Sequence, residues 1–295
     1  MTKKELTANL LLLLTAAIWG FAFVAQKTGA EYVGAFTFNG IRFLIGGLIL
    51  RPVIAVLDAS RKKSGAPAAS RKEPLRAGLI AGLLLFAGAS LQQIGILYTT
   101  AGKAGFITGL YVVLVPVFGF FLRQRTGKNV WAAVVLAAVG IFLLSVTEAF
   151  TVSGGDLLVM VSAVFFACHI LCIDRHTAHV DPLRLSSIQF LVTGTLSLLI
   201  AVLFEDFTGL YAALPMILYG GLLSVGVAYT LQVVAQKNAR PAHATILLSM
   251  ESVFGALGGA LILRERMTAR GYIGCALVFA AILLSQIRPK ETVRR

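Results

Sequence analysis

The chain has 295 residues, of which 58% are hydrophobic and only 13% are charged. Soluble domains have roughly 45–50% apolar and about 25% charged residues, so this composition excludes an ordinary soluble protein. The formal net charge is +13, but no stretch predicts a folded soluble surface on which basic residues could bind nucleic acid, which excludes that class as well. We therefore predict an all-α polytopic membrane protein.

Apolar runs bounded by charges, glycine, proline or polar clusters recur along the whole chain and mark ten transmembrane helices. Crossing about 30 Å of hydrocarbon takes roughly 20 residues in a helix, which is the length of these runs. The first run follows Lys3 and Lys4 but is too long for a signal peptide, so we interpret it as a retained helix. The predicted limits are 8–27, 34–56, 75–97, 103–122, 129–147, 154–173, 183–204, 214–236, 242–263 and 269–287.

Lysine and arginine residues predict the orientation of these ten spans. An even number of spans puts both termini on one side, which also holds the basic polar connection 58–74. That side collects twenty of the lysines and arginines, and the opposite side collects five. Because basic loops stay on the cytoplasmic side, we predict a protein of the cell (inner) membrane with both termini in the cytoplasm.

Several stretches of the first half recur in the second half in the same order. AAVGIFLLS, ending at Ser145, resembles VFAAILLS, ending at Ser285; RQRTGKNVW resembles RERMTARGY, and LTAAIWGFAF resembles VSAVFFACHI. These matches predict two five-helix domains, residues 1–150 and 151–295. Because five is odd, the second half enters the membrane with opposite polarity, and the two domains form inverted repeats of the kind that many secondary transporters use.

Four stretches together resemble a known family: LLTAAIWGFAFVAQKTG, FNGIRFLIGGLIL, YTTAGKAGFITGLYVVLVPVFG and LRERMTARGYIGCALVFAAILLS. They are similar to the EamA-like family of the drug/metabolite transporter (DMT) superfamily, and the likeness covers nearly the whole chain. Trp19-Gly20, Arg42 and Pro116 fall where that family has them, whereas Phe166-Ala167 takes the Trp-Gly place in the second half. Glu251-Ser252 stands where many members have Glu-Pro. The resemblance implies a ten-helix transporter of small metabolites.

Polar side chains within the spans predict a central cavity. A lipid-facing position does not favour glutamine or histidine, so these groups should point inward, where they either bond neighbouring helices or line a cavity. Thr15 shares a face of span one with Trp19 and Gln26, and several spans carry such faces. The candidates for a substrate cavity are Trp19, Phe23, Gln26, Gln92, Gln93, Thr108, Tyr111, His169, Tyr229, Gln232, Gln236 and Glu251.

Glu251 is the one acidic residue in the apolar run of span nine. A charge at the bilayer centre costs about 2.5–3.5 kcal/mol on insertion scales, so intramembrane ionisable residues are functional candidates. Three interpretations of Glu251 stay open: a carboxylate that exchanges protons, a counter-charge for a cationic group of the solute, or a fixed partner of Arg42 or Lys103. Arg42, Lys103 and Pro116 are therefore structural or coupling candidates.

Chemical motifs of enzymes are missing from the sequence. The spans contain no acid pair, no HExxH and no GxSxG, and no GxxxxGK[ST] loop predicts ATP binding. Cys168 and Cys172 flank His169, but small packing residues explain them better than a metal site. We predict no catalytic residues, no metal and no cofactor.

The sequence as a whole predicts a secondary transporter that exports small organic metabolites, amino-acid-like or drug-like, by alternating access. Proton coupling is left open, because it depends on the partner of Glu251. The alternatives are a lipid scramblase or channel-like pore and, less favoured, an intramembrane enzyme acting on a lipid-linked substrate. The expected partners are a small-molecule solute and membrane lipid, without nucleic acid, and a monomer is favoured.

Overall fold

A computed structural model describes residues 3–63, 72–99, 101–124, 126–145, 153–262 and 269–287. Throughout these residues the regular structure is helical. The elements are α1 (Lys3–Gly29), α2 (Ala35–Lys63), α3 (Lys72–Leu97), α4 (Ala101–Gly109), α5 (Tyr111–Phe121), α6 (Lys128–Ser145), α7 (Gly154–Thr177), α8 (Pro182–Phe204), α9 (Leu210–Leu218), a π-helical segment (Tyr219–Tyr229), α10 (Thr230–Gln236), α11 (Pro241–Leu248), α12 (Met250–Ile262) and α13 (Ala269–Gln286).

Most of these helices suit a bilayer. In the described part of the chain, eight helical stretches are long and apolar enough to cross a membrane, and two shorter apolar helices cover Lys128–Leu143 and Ala269–Ser285. Large apolar side chains such as Phe204 and Phe121 are exposed on the outside of the bundle, as expected for surfaces that face lipid. The protein is an all-α, multi-pass membrane protein, and the count of ten spans stays a prediction.

The helix α2 is longer than predicted. It continues through Lys63, so the first residues of the connection 58–74 are helical rather than irregular. The alanine, lysine and arginine residues there are good helix formers, which explains the extension. The last residues of the connection, 72–74, already belong to α3, and residues 64–71 lie outside the described residues.

Two of the predicted spans are broken near their middles, which the sequence pattern did not reveal. Leu110 separates α4 from α5, and Ser249 separates α11 from α12. Leu110 has φ −60° and ψ −15°, and Ser249 has φ −61° and ψ −14°, so the same local conformation occurs twice. Neither break lies at Pro116, because α5 continues through that proline.

A third irregularity lies in predicted span eight. Eleven residues from Tyr219 to Tyr229 form a π-helix between α9 and α10. π-Helical turns are rare and occur mostly as single turns, frequently at functional sites. This segment packs against both α1 and α2.

Close packing at Gly20 joins α1 to α12. A Cβ atom at this position would collide with Phe254 Cβ and would lie 2.7 Å from the carbonyl oxygen of Glu251. Real side chains do not approach that closely, so only glycine allows the two helices to meet here. The Trp-Gly pair therefore places Trp19 next to the middle of α12.

One end of the bundle is held by two charged side chains that bind backbone groups. Lys27 Nζ donates hydrogen bonds to the carbonyl oxygens of Ile96, in the last turn of α3, and Thr99, just after it, at 2.8 and 3.0 Å. The Glu205 carboxylate accepts from the backbone N–H groups of Phe36 and Thr37, at 2.9 and 2.6 Å, in the first turn of α2. These charges satisfy helix-end groups that have no intrahelical partner. We call this end the Lys27 end.

The opposite end carries an ion pair and is called the Asp58 end. Arg184 at the start of α8 donates to both carboxylate oxygens of Asp58 at the end of α2, each at 2.5 Å. Gln124 Nε2 also donates to Asp174 Oδ2 at 3.3 Å, which joins the chain after α5 to the last turns of α7.

Candidate functional site

A buried cavity of about 40 Å³ lies in the middle of the bundle. All of its lining residues except Trp19, which is half-buried, are buried. The volume has room for roughly three water molecules. The lining residues are Trp19, Ala22, Phe23, Gln26, Arg42, Gln92, Thr108, Tyr111, Phe166, His169, Ile170, Ser224, Tyr229, Gln232 and Glu251.

Ten of the twelve residues predicted for a cavity lie on this one surface, together with Arg42. Gln93 and Gln236 do not line it. Each donates its amide N–H to a backbone carbonyl of a neighbouring helix, Gln93 to Gln26 at 3.2 Å and Gln236 to Ile170 at 3.1 Å. These two glutamines thus bond helices together, the alternative that the sequence left open for any single polar residue.

Four lining residues were not among the predicted ones: Ala22, Phe166, Ile170 and Ser224. A signal for Phe166 was present, since it takes the place of Trp19 in the second half of the chain. Ser224 had none, because its position depends on the π-helical segment, and apolar spans give no sequence signal for that geometry. Ala22 and Ile170 are indistinguishable in sequence from ordinary core residues.

Glu251 and Tyr111 stand at corresponding places beside the two helix breaks. Tyr111 is the first residue of α5, and Glu251 is the second residue of α12. The N-terminal end of a half-helix carries partial positive charge, which attracts anionic groups. Both side chains line the cavity, and their polar groups lie near each other.

Buried polar atoms on the cavity wall are left without hydrogen bonds. Among the described residues, no hydrogen bond within 3.5 Å reaches Glu251 Oε1, Tyr111 Oη, Gln26 Oε1 or Gln232 Oε1, although the Glu251 and Tyr111 side chains lie near each other. All four residues are at least nine-tenths buried. An unsatisfied buried polar group costs about 1–3 kcal/mol, and most are paired in folded proteins. Other buried polar atoms also lack partners, Gln93 Oε1 and Gln236 Oε1 among them, so it is the grouping of these four around one cavity that indicates a place where water or a solute supplies the missing partners.

Arg42 is held on the cavity wall by its own surroundings. Its Nε donates to Asn39 Oδ1 at 2.9 Å, and its guanidinium carbon lies 4.8 Å from the ring centre of Phe43 and 5.4 Å from that of Phe38. No ion pair joins it to Glu251 within 4.0 Å in the described structure. The side chain of Lys103, the other proposed partner of Glu251, lies outside the described part of the chain.

Aromatic rings surround Tyr229 on the wall between Arg42 and Glu251. The ring of Trp19 lies 4.5 Å from that of Tyr229, and the rings of Phe43 and Phe190 each lie 6.0 Å away. These spacings are typical of favourable aromatic pairs. The site therefore combines a cation, an acid and a flat aromatic surface.

Other polar residues of the cavity bond each other. Gln92 Nε2 donates to Thr108 Oγ1 at 2.9 Å. His169 Nε2 and Gln189 Oε1, behind the cavity wall, lie 2.8 Å apart, within hydrogen-bond distance. These bonds fix the orientation of the amide and the imidazole.

A larger, separate cavity of about 370 Å³ lies at the Asp58 end. Its wall includes Gln124, Asp174, Arg240 and His243. Asp174 lies one turn beyond Ile170, a wall residue of the central cavity, on the same helix. Between the two cavities the residues 244–248 of α11 are each at most 1% exposed. This packed layer closes the central cavity from that end.

Metal ligation receives no support from the described residues. They contain no group of three or more histidine, cysteine, aspartate or glutamate side chains that could hold a metal ion.

A multi-pass helical bundle with broken helices around a polar cavity at mid-depth has the architecture of a membrane transporter. The sequence profile of the EamA-like transporter family matches the chain twice, over residues 6–146 and 153–286. The chain belongs to the EamA-like transporter family and is a membrane transporter.

Curated relatives agree with this assignment. An uncharacterized transporter of Archaeoglobus fulgidus is 30% identical over 290 residues, covering 97% of this chain and 87% of its own length. The uncharacterized transporter YetK of Bacillus subtilis is 25% identical over 305 residues, covering 99% of this chain and 90% of that protein. A solved crystal structure superimposes with a TM-score of 0.74 at 20% identity, covering 95% of this chain and 96% of the other, which establishes the shared fold.

Proposed function

We propose that the protein is a secondary transporter that moves small organic solutes through the central cavity by alternating access. The observation that carries this proposal is the set of unpartnered polar atoms on one buried wall, with Glu251 and Tyr111 at the starts of two half-helices. In secondary transporters, half-helix ends at mid-depth bind solutes and coupling ions. A purely structural bundle would gain nothing from leaving these groups unsatisfied.

The solute we propose is amino-acid-like or drug-like. A cation (Arg42), an acid (Glu251) and the ring of Tyr229 share the wall, so the site suits a molecule with both polar and flat apolar parts. Pockets for such ligands have volumes of about 300–1,000 Å³, whereas the cavity measures about 40 Å³. The cavity in this structure is therefore too narrow for such a solute, and loading requires the wall to widen.

Packing and backbone geometry support two inverted repeats as the basis of the motion. In this pairing each span of the first half, α1 to α6, matches the span at the same place in the second half, α7 to α13. The helix α3 then matches the π-helical segment, and α2 matches α8, so the contact between α3 and α8 is equivalent to the contact between the π-helical segment and α2. The contact of α1 with α12 corresponds in the same way to that of α7 with α5. The breaks at Leu110 and Ser249 are also equivalent under this pairing, and their backbone angles agree. We propose that the two halves rock about the cavity and use these breaks as joints.

Charge distribution supports an orientation. Lysine and arginine residues concentrate on the loops of the Asp58 end, and we propose that this end and both termini lie in the cytoplasm, in the cell (inner) membrane. The 370 Å³ cavity then opens on the cytoplasmic side and receives the solute for export. Glu251 is the group through which a proton gradient would act, because an acid that binds solute and proton in turn links the two movements.

The test is flux in proteoliposomes. Vesicles that contain the purified protein are loaded with a panel of amino acids, amines and organic drugs, and efflux is measured with and without an imposed proton gradient. We expect saturable flux of at least one solute, and a loss of gradient dependence in Glu251→Gln. No flux of any panel member, with protein whose thermal unfolding shows it to be folded, would contradict the proposal.

A lipid scramblase is distinguished in the same vesicles. A scramblase needs a polar groove that is open to lipid, whereas the cavity wall here is buried inside the bundle. We expect a fluorescent phospholipid in the inner leaflet to stay protected from a reductant added outside, at the rate of protein-free vesicles. Rapid bleaching of the lipid would favour the scramblase.

A further inference from the structure

The π-helical segment supplies part of the cavity wall. Ser224 and Tyr229 belong to it, and Gln232 follows in α10, less than one turn later. The positions of these three side chains depend on how many residues each turn of the segment contains. A change of one residue in the hydrogen-bond register rotates every later side chain by about 100°, because an α-helix has 3.6 residues per turn.

Side chains of α1 contact the backbone of this segment at two carbonyl groups. The Thr15 hydroxyl has one hydrogen, which it shares between the carbonyl of Leu11 on its own helix, at 2.9 Å, and the carbonyl of Ala228, at 3.2 Å. Trp19 Nε1 donates to the carbonyl of Ser224 at 3.2 Å. A register shift would move both carbonyls away from their donors. Thr15 is fully buried and does not line the cavity, so its bond to Ala228 has no direct role toward a solute.

Glycines on both sides bring the π-helical segment close to α2. A Cβ atom at Gly221 would lie 2.9 Å from Ile45 Cβ, and one at Gly46 would lie 2.8 Å from Val225 Cβ. This contact is tight, so a side chain at either glycine would force the two helices apart. Small residues at helix contacts in membranes allow such close approach.

At the equivalent packing position in the first half of the chain, a regular α-helix takes the place of the π-helical segment. The helix α3 packs against α7 and α8, as the π-helical segment packs against α1 and α2, and it has α-helical geometry throughout. Its Gly82 also makes a close contact, since a Cβ atom there would lie 2.7 Å from Val192 Cβ. An α-helical register is therefore compatible with packing of this kind.

We propose that Thr15, together with Trp19, is a positioning residue that holds span eight in the π-helical register. In this register Tyr229 and Gln232 face the cavity, and a shift toward α-helical register withdraws both of them. The inference rests on the proposed function, since it assigns a movable part to the wall of the same solute site.

The experiment uses the full chain with Cys168, Cys172 and Cys275 changed to serine. A single reporter, Gln232→Cys or Leu231→Cys, is introduced in two parallel versions, because position 231 precedes 232 and does not line the cavity. The rate of reaction with a small water-soluble thiol reagent is measured in proteoliposomes for each. We expect Thr15→Val to lower the ratio of the rate at 232 to that at 231 by about threefold, the effect of one interhelical hydrogen bond in a membrane.

Two variants serve as controls. Thr15→Ser keeps the hydroxyl and should restore the ratio. Thr193→Val removes a matched bond, since Thr193 is also fully buried and donates at 3.0 Å to the carbonyl of Gly82 on α3, far from the π-helical segment. We expect this change to leave the ratio as in the parent protein.

Several outcomes would overturn the inference. They are an unreactive thiol in the Gln232→Cys parent, a ratio that Thr15→Val leaves unchanged, no rescue by Thr15→Ser, and an equal fall in Thr193→Val. Solute flux is measured separately in vesicles whose protein carries no reporter. If no flux is found but the thiol labelling follows the expected pattern, the proposed function is contradicted while the assignment of the helical register is still supported.

Discussion

Charged and polar side chains are treated differently in the middle of the bundle and at its ends. At the Lys27 end, Lys27 and Glu205 bind backbone groups that the helix ends leave free. At the Asp58 end, Arg184 is paired with Asp58. In the central cavity, by contrast, Glu251 and Tyr111 expose polar atoms that no described residue satisfies.

This difference separates residues that stabilise the fold from residues available to a ligand. A bonded charge at a helix end stabilises the fold, and removing it leaves partners unsatisfied. An unbonded buried acid destabilises the fold, and removing it relieves that cost. Substitutions at the ends should therefore lower stability and leave transport nearly unchanged, whereas substitutions in the cavity should lower transport without lowering stability. Measuring both quantities for the same variants tests the distinction.

The largest effect is expected for Glu251→Gln. Flux should fall by at least about tenfold, because a hydrogen bond to a charged group contributes about 1.5–3 kcal/mol. The thermal unfolding temperature should stay equal or rise, since a buried carboxylate has been removed. Flux in proteoliposomes and unfolding in detergent are measured on one preparation. A lower unfolding temperature with normal flux would place Glu251 among the structural residues.

A large effect of opposite kind is expected for Glu205→Gln. The neutral amide has a single acceptor oxygen for the N–H groups of Phe36 and Thr37 and loses the charge that favours the start of α2. We expect a loss of about 1.5–3 kcal/mol of stability, with flux per folded molecule within about twofold of the parent protein. Denaturation of the detergent-solubilised protein gives the first quantity. Flux that falls as far as in Glu251→Gln would break the comparison.

An intermediate effect is expected for the pair Gln232→Leu and Gln236→Leu. The two residues are one turn apart and similarly buried, but only Gln232 lines the cavity. We expect Gln232→Leu to lower flux about fivefold, the effect of one net hydrogen bond. Gln236→Leu should instead lower stability by about 0.6 kcal/mol through its lost bond to Ile170. Equal flux in the two variants would show that lining the cavity does not determine which glutamine takes part in transport.

The smallest effect is expected for Asp58→Asn. The side chains of Arg184 and Asp58 are 17% and 42% exposed, so the pair should contribute less than about 1 kcal/mol and weaken in high salt. Unfolding is compared at low and high salt, with Arg184→Gln as the reciprocal variant. A loss of stability that is independent of salt and larger than that of Glu205→Gln would contradict this expectation and show that the Asp58–Arg184 pair stabilises the fold strongly.

Hydropathy made most of the cavity predictable. Glutamine, histidine and glutamate are disfavoured against lipid, so their presence in apolar runs places them inside the bundle. The same reasoning cannot distinguish Gln92 from Gln93, because adjacent residues differ only in helix rotation. Gln92 lines the cavity, and Gln93 bonds to the backbone of α1.

The irregular geometry could not be predicted. The breaks at Leu110 and Ser249 and the π-helical segment lie in apolar stretches whose hydropathy predicts a continuous transmembrane helix. Pro116 drew attention to span four, but a proline removes a hydrogen bond one turn upstream without ending α5.

The packed residues 244–248 between the two cavities have a consequence for the cell. A chain of water molecules through the protein would conduct protons and discharge the membrane. In this state the central cavity has room for only a few waters, and the buried turn of α11 interrupts any path toward the Asp58 end. A buried layer of this kind would limit proton leak through the resting protein, which a transporter in an energised membrane requires.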